Sequence, residues 1–396
     1  MKTTNLKGKN INSFLSAIAI SSNYVAVSIN SLIGISVYSL LAVMVFIISL
    51  WLNRWRIKLF SVVSLIYLSL PIFSIFIFKD SISFTFFLYS VQALMFAFCV
   101  IGGFSFKLFA KTIVIIYLLF FWGMLIHKSD LDGGGELMGL SYSVLPGILA
   151  SIYCIFSKED RLLPFMSLLC LAFYVFNIIS FISRGVVLSI FVYILLISAF
   201  YCLKKPKARM PLLIIITSLT IAFIVNFDSI VYFADGIINK NEIKIPFINE
   251  IARRISNNTI LDGRDVIYER AFLSFLKNPI FGNGTGFYSR YYNSNYEHNF
   301  ILQMLDEGGV VYAALNIIPL LILLFKALYF KSKLDKETRF MVFFLISVSV
   351  VRLCFSYMLW REQGYWMLIL IYWSTRIKNR YYSTDYKRSR YDAICN

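Results

Sequence analysis

The sequence predicts an all-α, polytopic integral membrane protein with about twelve transmembrane helices and one large helical loop on the outer face. Three observations carry this. Of 396 residues, 59% are hydrophobic and only 15% charged, whereas soluble domains carry about 25% charged and about 45–50% apolar residues. Mean hydropathy is +0.73, and apolar stretches near the roughly 20 residues that a bilayer demands recur along the chain. Basic residues are concentrated in alternate connecting segments. A cytosolic enzyme, a secreted disulfide scaffold and a disordered tail protein are thereby excluded.

Crossings are read at 12–30, 31–52, 59–78, 84–103, 108–126, 142–156, 162–182, 185–203, 210–227, 309–330, 340–358 and 365–376. Ser21, Ser22, Asn23, Ser28 and Asn30 dilute the first, and the sixth and last are short. Residues 1–227 therefore hold nine spans, 228–308 the large loop, 309–376 three more spans and 377–396 a basic tail. With the N-terminus inside, the inner segments hold 23 basic residues against 6 acids, and the outer ones 12 against 15. The net charge of +17 is then the positive-inside signal, not a nucleic-acid footprint, and both termini are cytoplasmic. Lys111 and Lys326 lie near inner span ends, where long side chains snorkel. No CxxC occurs among the 6 cysteines, so neither a disulfide framework nor a zinc site is expected. No internal repeat and no cleavable signal peptide is evident.

The loop 228–308 is rich in Ile, Phe and Tyr, and loops of that length are usually functional or disordered. Asp262 is a plausible N-cap for DVIYERAFLSFLKN, whose Val266, Ile267, Ala271, Phe272, Phe275 and Leu276 fall on roughly one face, and Asn278-Pro279 stops that helix. Gly282-Asn283-Gly284-Thr285-Gly286 follows as a turn in which backbone can approach backbone or ligand. After tyrosines at 288, 291, 292 and 296, a second helix starts at His298-Asn299 and breaks at Gly308-Gly309.

His298 is the one histidine of that loop, the other being His127 at the outer end of the fifth span, with no motif around it. At a helix start the positive end of the dipole favours a neutral ring, the state a general base requires. Arg264 falls in the first turn of its helix, where guanidinium and free N–H groups can grip an anion together. Arg184, with Ser183 and Gly185 as polar company, is expected to snorkel or to face an outward cavity, and Arg352, inside the eleventh span, to have a partner or line a pathway. Arg270 completes the outer cationic set. Asp130-Leu131-Asp132 resembles a metal clamp but equally writes a solvated turn.

Gly263-Arg264, Tyr268, Ala271, Asn278-Pro279-Ile280-Phe281-Gly282-Asn283-Gly284 and His298-Asn299 resemble the signature region of the O-antigen polymerase and O-antigen ligase superfamily. The ligase pattern is His, then Asn, Ser or Gln, nine residues, Gly, two residues, then Gly, Thr or Tyr. His298, Asn299, Gly309 and Tyr312 meet it, and Ser183-Arg184-Gly185 resembles the Ser-Arg-Gly of an upstream outer span end. The resemblance covers about 180–315. It implies a GT-C-like glycosyltransferase of the bacterial inner membrane, using a glycan donor and acceptor on undecaprenyl diphosphate. A Wzy-type polymerase making O-antigen or capsule leads, a ligase passing the glycan to lipid A-core follows, and a lipid-linked oligosaccharide flippase is the alternative of another class. By this resemblance Arg184 and Arg264 hold the diphosphate and His298 activates the acceptor hydroxyl; Arg270 and Arg352 are further candidate diphosphate ligands. Tyr288, Tyr292, Glu297 and Asn299 are candidate glycan contacts. No cofactor or metal is implied. Membrane lipid, a chain-length regulator and a flippase are the partners to expect, and nucleic acid is not.

Overall fold

A backbone immersed in lipid has to satisfy its polar groups internally, which leaves helices to a chain without strand-period patterning. The structure, a computed structural model, describes residues 2–34, 37–121, 134–155, 162–179, 184–204, 218, 264–292, 296–329, 331–332 and 334–376. Every regular element among the described residues is helical. The elements are α1 (Lys2–Ile20), α2 (Ser22–Ile33), α3 (Tyr38–Asn53), α4 (Ile57–Phe78), α5 (Ser81–Ala97), α6 (Phe106–Leu119), α7 (Gly134–Ile155), α8 (Leu162–Ile179), α9 (Arg184–Lys204), α10 (Arg264–Lys277), α11 (Phe287–Tyr292), α12 (Phe300–Leu328), α13 (Lys336–Phe355) and α14 (363–376).

Five helices among the described residues are long and apolar enough to cross a membrane, and six if the bent pair α1–α2 is one crossing. The polytopic membrane fold therefore stands. Two details differ from expectation. The first crossing is not one straight helix: it bends by 61° at Ser21. Ser13, Ser16, Ser21, Ser22 and Ser28 are buried with Ala17 and Ala19, so its small polar face turns into the bundle, where small side chains let helices approach closely. The expected second and third crossings form one unbroken helical run, Tyr38–Phe78, through a 3₁₀ turn at Arg54–Arg56. The rings of Phe46 and Phe60 are 5.8 Å apart, whereas fourteen residues of straight helix would separate them by about 21 Å. The run therefore bends sharply at the basic turn. Apart from residue 218, the ninth crossing, 210–227, and the tail lie outside the described residues.

α14, read as a short last span, is the centre of the bundle: 365–372 are all buried. Around it the outward residues are large and apolar, Trp51 and Phe76 each keeping more than 70% of their surface. Lipid is the solvent that makes such a belt favourable. At one end, Asn12 and Asn53 exchange amide hydrogen bonds (3.0 and 3.2 Å) against Gly102, where a Cβ would strike both side chains. Arg56 donates there to the Ile101 carbonyl and to Ser374, and Glu337 accepts from the Phe106 N–H. The opposite end gathers Asp80, Thr285 and Arg290: Arg290 pairs with Asp80 at 3.0 Å and lies over the Phe78 ring. The sequence motifs singled out above collect at that second end.

Candidate functional site

The glycine-rich turn is a clamp between α10 and α12. α10 runs from Arg264 to Lys277 and stops before Asn278-Pro279, as the sequence predicts. Asn283 N–H then donates to the Asp306 carbonyl and Gly284 N–H to the Glu307 carbonyl, both at 2.8 Å, while Val310 N–H donates to the Pro279 carbonyl at 2.9 Å. So close an approach excludes side chains. A Cβ on Gly282 would run into the backbone of Glu307–Gly308, and one on Gly309 into the Ile280 carbonyl; both glycines have positive φ. Gly309 also supplies the expected break inside α12. The Asn283 side chain completes the clamp by donating to Asp306 Oδ1 (2.9 Å) and the Ser274 carbonyl (3.1 Å).

Behind this turn lies a buried acid cluster. Glu307 accepts from Gly286 N–H (2.9 Å), Trp360 Nε1 (2.6 Å) and Gln303 Nε2 (3.3 Å), tying the turn to the segment before α14. Glu297 is 1% exposed, and neither of its carboxylate oxygens, nor Oδ2 of Asp306, accepts a hydrogen bond among the described residues. Burial and the neighbouring carboxyls of Glu307 and Asp306 push Glu297 well above the usual carboxylate range. Two carboxyls placed this close favour sharing a proton over both ionising.

His298 follows directly, and its placement corrects one expectation. The N-cap of α12 is Asn299, whose Oδ1 accepts from the N–H groups of Ile301 (3.0 Å) and Leu302 (3.3 Å). Asn is a stronger N-cap than His, so His298 stands one residue outside the helix with φ +57°. Its ring lies 4.3 Å from that of Tyr296.

Guanidinium groups surround this ring pair. Arg264 and Arg352 both lie close enough to Tyr296 to act on its hydroxyl, although burial is what mainly pushes that hydroxyl up. Arg352 lies over Tyr357 (3.7 Å) and Tyr142 (5.1 Å), with Glu362 3.5 Å away. Arg361 lies over Tyr89 (4.7 Å) and Tyr357 (5.9 Å). Gly185, at the start of α9, touches Tyr142 so closely that a Cβ would meet its hydroxyl. The Ser-Arg-Gly segment therefore reaches the same cluster through its backbone; the Arg184 side chain and Ser183 lie outside the described residues. Arg264, Arg352 and Arg361 donate no hydrogen bond among the described residues, and Arg352 and Arg361 rest on tyrosine rings; a guanidinium whose donors are not spent on the protein can receive a phosphate bidentately.

Of the predicted residues, His298, Arg264 and Arg352 thus come together. Arg270 lies beside Tyr288 and 5.5 Å from the Tyr292 ring. Tyr288 and Glu297 are buried, and the Asn299 oxygen is engaged in capping. Sequence reading missed Arg361, Tyr89, Tyr142 and Tyr357; an arginine between the last two spans, RLCFSYMLWREQ, was the available signal. Asp130, Asp132 and His127 lie outside the described residues. Among the described residues no group of three His, Cys, Asp or Glu side chains is arranged to hold a metal ion.

No curated protein and no solved structure matches the chain. Residues 167–317, from within α8 to within α12, match the family model described as O-antigen ligase, which is consistent with the O-antigen polymerase and ligase superfamily that the motifs resemble.

Proposed function

We propose that this protein is a membrane glycosyltransferase that polymerises undecaprenyl-diphosphate-linked oligosaccharide repeats into O-antigen or capsular polysaccharide. The observation that carries the reading is the convergence of Arg264, Arg352 and Arg361 on the Tyr296–His298 pair. A twelve-span, GT-C-like chain with both termini cytoplasmic would set this cluster at the outer face of the inner membrane, where such a lipid-linked donor is presented.

In the proposed reaction the His298 imidazole takes the proton of the acceptor's sugar hydroxyl as that oxygen attacks the donor's anomeric carbon. The anomeric carbon's bond to the diphosphate oxygen breaks, and the lipid diphosphate leaves with the electron pair. Negative charge grows on the leaving oxygens, and guanidiniums aimed there stabilise it. The proton on His298 then passes to solvent or to the departing phosphate. Arg184, at the N-terminus of α9, is proposed as a further diphosphate ligand, and Tyr292 as a glycan contact. The related ligase reaction differs only in the acceptor, lipid A-core. Deletion followed by a glycan ladder gel separates the two: a single repeat on core means polymerase, whereas bare core with free lipid-linked polymer means ligase and overturns the proposal.

A further inference from the structure

The apolar face read for α10 is divided in the structure. Val266, Phe272 and Leu276 are exposed, and the buried seam is Ala271 and Ser274. Residues 265, 269, 272 and 276 share one stripe of the helix by their spacing. That stripe is not uniform: it reads Asp265, Glu269, Phe272, Leu276, so the acids occupy the N-terminal half and the apolar side chains the C-terminal half.

The apolar half continues into the clamp. Leu273, Leu276, Ile280 and Phe281 keep between 52% and 74% of their surface exposed. The Val310 N–H donates to the Pro279 carbonyl at 2.9 Å and the Val311 N–H to the Ile280 carbonyl at 3.3 Å, which seats Ile280 and Phe281 against the start of the long part of α12. Val310, Val311, Ile318, Leu321 and Phe325 are themselves exposed along that helix, which is long and apolar enough to cross a membrane. Exposed apolar side chains thus run from the outward side of α12, across the clamp and onto the last turns of α10, with Lys277 and Asn278 also exposed between Leu276 and Ile280.

We infer that the strip formed by Phe272, Leu273, Leu276, Ile280 and Phe281 is a membrane-surface anchor that inserts into the bilayer leaflet next to the site. The occupant is lipid because the strip continues a surface that is already lipid-facing, and because its polarity changes along the helix as it does across an interface. α10 is then tilted, with Leu276 and Phe281 among the acyl chains and Asp265 and Glu269 in water. Arg264, at the helix's far end beside Asp265, is then held on the water side of the interface. The anchor fixes the height of the site above the bilayer, independently of which glycan is transferred.

Collision accessibility of a nitroxide label tests this on the full chain in vesicles of phosphatidylethanolamine and phosphatidylglycerol. Labels go at Leu276→Cys and Phe281→Cys, with Asp265→Cys and Glu269→Cys as water-side references and the unsubstituted protein as background for native thiols. Oxygen should reach positions 276 and 281 several-fold better than a water-soluble nickel chelate does, with the preference reversed at 265 and 269. Equal nickel access at 276 and 269 overturns the anchor. Spin–spin broadening at 276 and 281 that disappears on dilution with unlabelled protein also overturns it, because a second copy would then cover the strip.

Discussion

Arginines at the two ends of the bundle live under opposite conditions. At the end holding the basic turns, Arg339 makes five hydrogen bonds of 2.8–3.0 Å, to the carbonyls of Leu334, Ala327, Tyr329 and Ser332 and to the Ser332 hydroxyl. Its fork closes the turn between α12 and α13 and leaves little for a ligand. At the other end, Arg352 and Arg361 share the face of Tyr357, and neither they nor Arg264 donates a hydrogen bond among the described residues. The contrast separates an arginine that shapes the chain from one that is held ready. A saturated guanidinium should matter to stability, and an unsaturated one to turnover.

The largest effect is expected at the ring these arginines surround. A general base contributes about 10²–10⁴-fold in rate, so His298→Ala and His298→Gln should leave the protein in the membrane while elongation of purified lipid-linked substrate nearly stops. His127→Ala should elongate normally. Normal elongation by His298→Gln would reduce the histidine to a positional role and remove the base from the scheme.

Next come the open arginines. Each hydrogen bond to a charged group contributes about 1.5–3 kcal/mol, so losing the bidentate fork in Arg352→Lys or Arg361→Lys should slow elongation roughly 10- to 100-fold. Protein level and thermal stability should stay near those of the parent. Arg361→Lys is the more informative variant, since Arg352 also has Glu362 to hold it. A loss of membrane protein with normal activity per molecule would make these arginines no different from Arg339.

Arg339→Lys should show the converse. An ammonium has three donors where the guanidinium has five, and each carbonyl left unmet costs about 1–3 kcal/mol. The midpoint of thermal unfolding in detergent should fall by several degrees, with elongation per folded molecule unchanged. A specific loss of turnover at unchanged midpoint would break the comparison from its other side.

How much of this was legible follows the range of the contacts. The membrane class, most helix positions, the stop at Asn278-Pro279 and the break at Gly309 rest on neighbours in sequence, and each appears where expected. The purpose of the glycine run was legible as close approach, but not that Glu307 and Ile280 were what approached. The site's remaining parts depend on partners hundreds of residues apart, such as Tyr38 with Gln363 or Tyr142 with Arg352. No local pattern marks those pairs. α10 shows a related limit of local pattern: apolar periodicity shows which residues share a face, but not what lies against it.

The smallest effect concerns the anionic counterpart of the open arginines, and it is a matter of sign. Glu297 is held above the ordinary carboxylate range by burial and by Glu307 and Asp306. In the unfolded chain a glutamate loses its proton near pH 4.3, about the ordinary value. From that pH upward the folded state holds a proton that the unfolded state has released, so stability falls as pH rises, until Glu297 itself ionises. The group's contribution is complete below the unfolded pKa and disappears as pH climbs through the folded one. Glu297→Gln keeps the shape and one donor toward Asp306 but has nothing to ionise. Its unfolding midpoint, followed from pH 5 to 9 in detergent, should therefore decline less steeply than the parent's, and the two curves should separate most at the alkaline end. Parallel curves would mean that Glu297 is already ionised in the fold. The loop before His298 would then be held by a charged acid with a cation beside it, and the division between a saturated end and an open end would no longer extend to the acids.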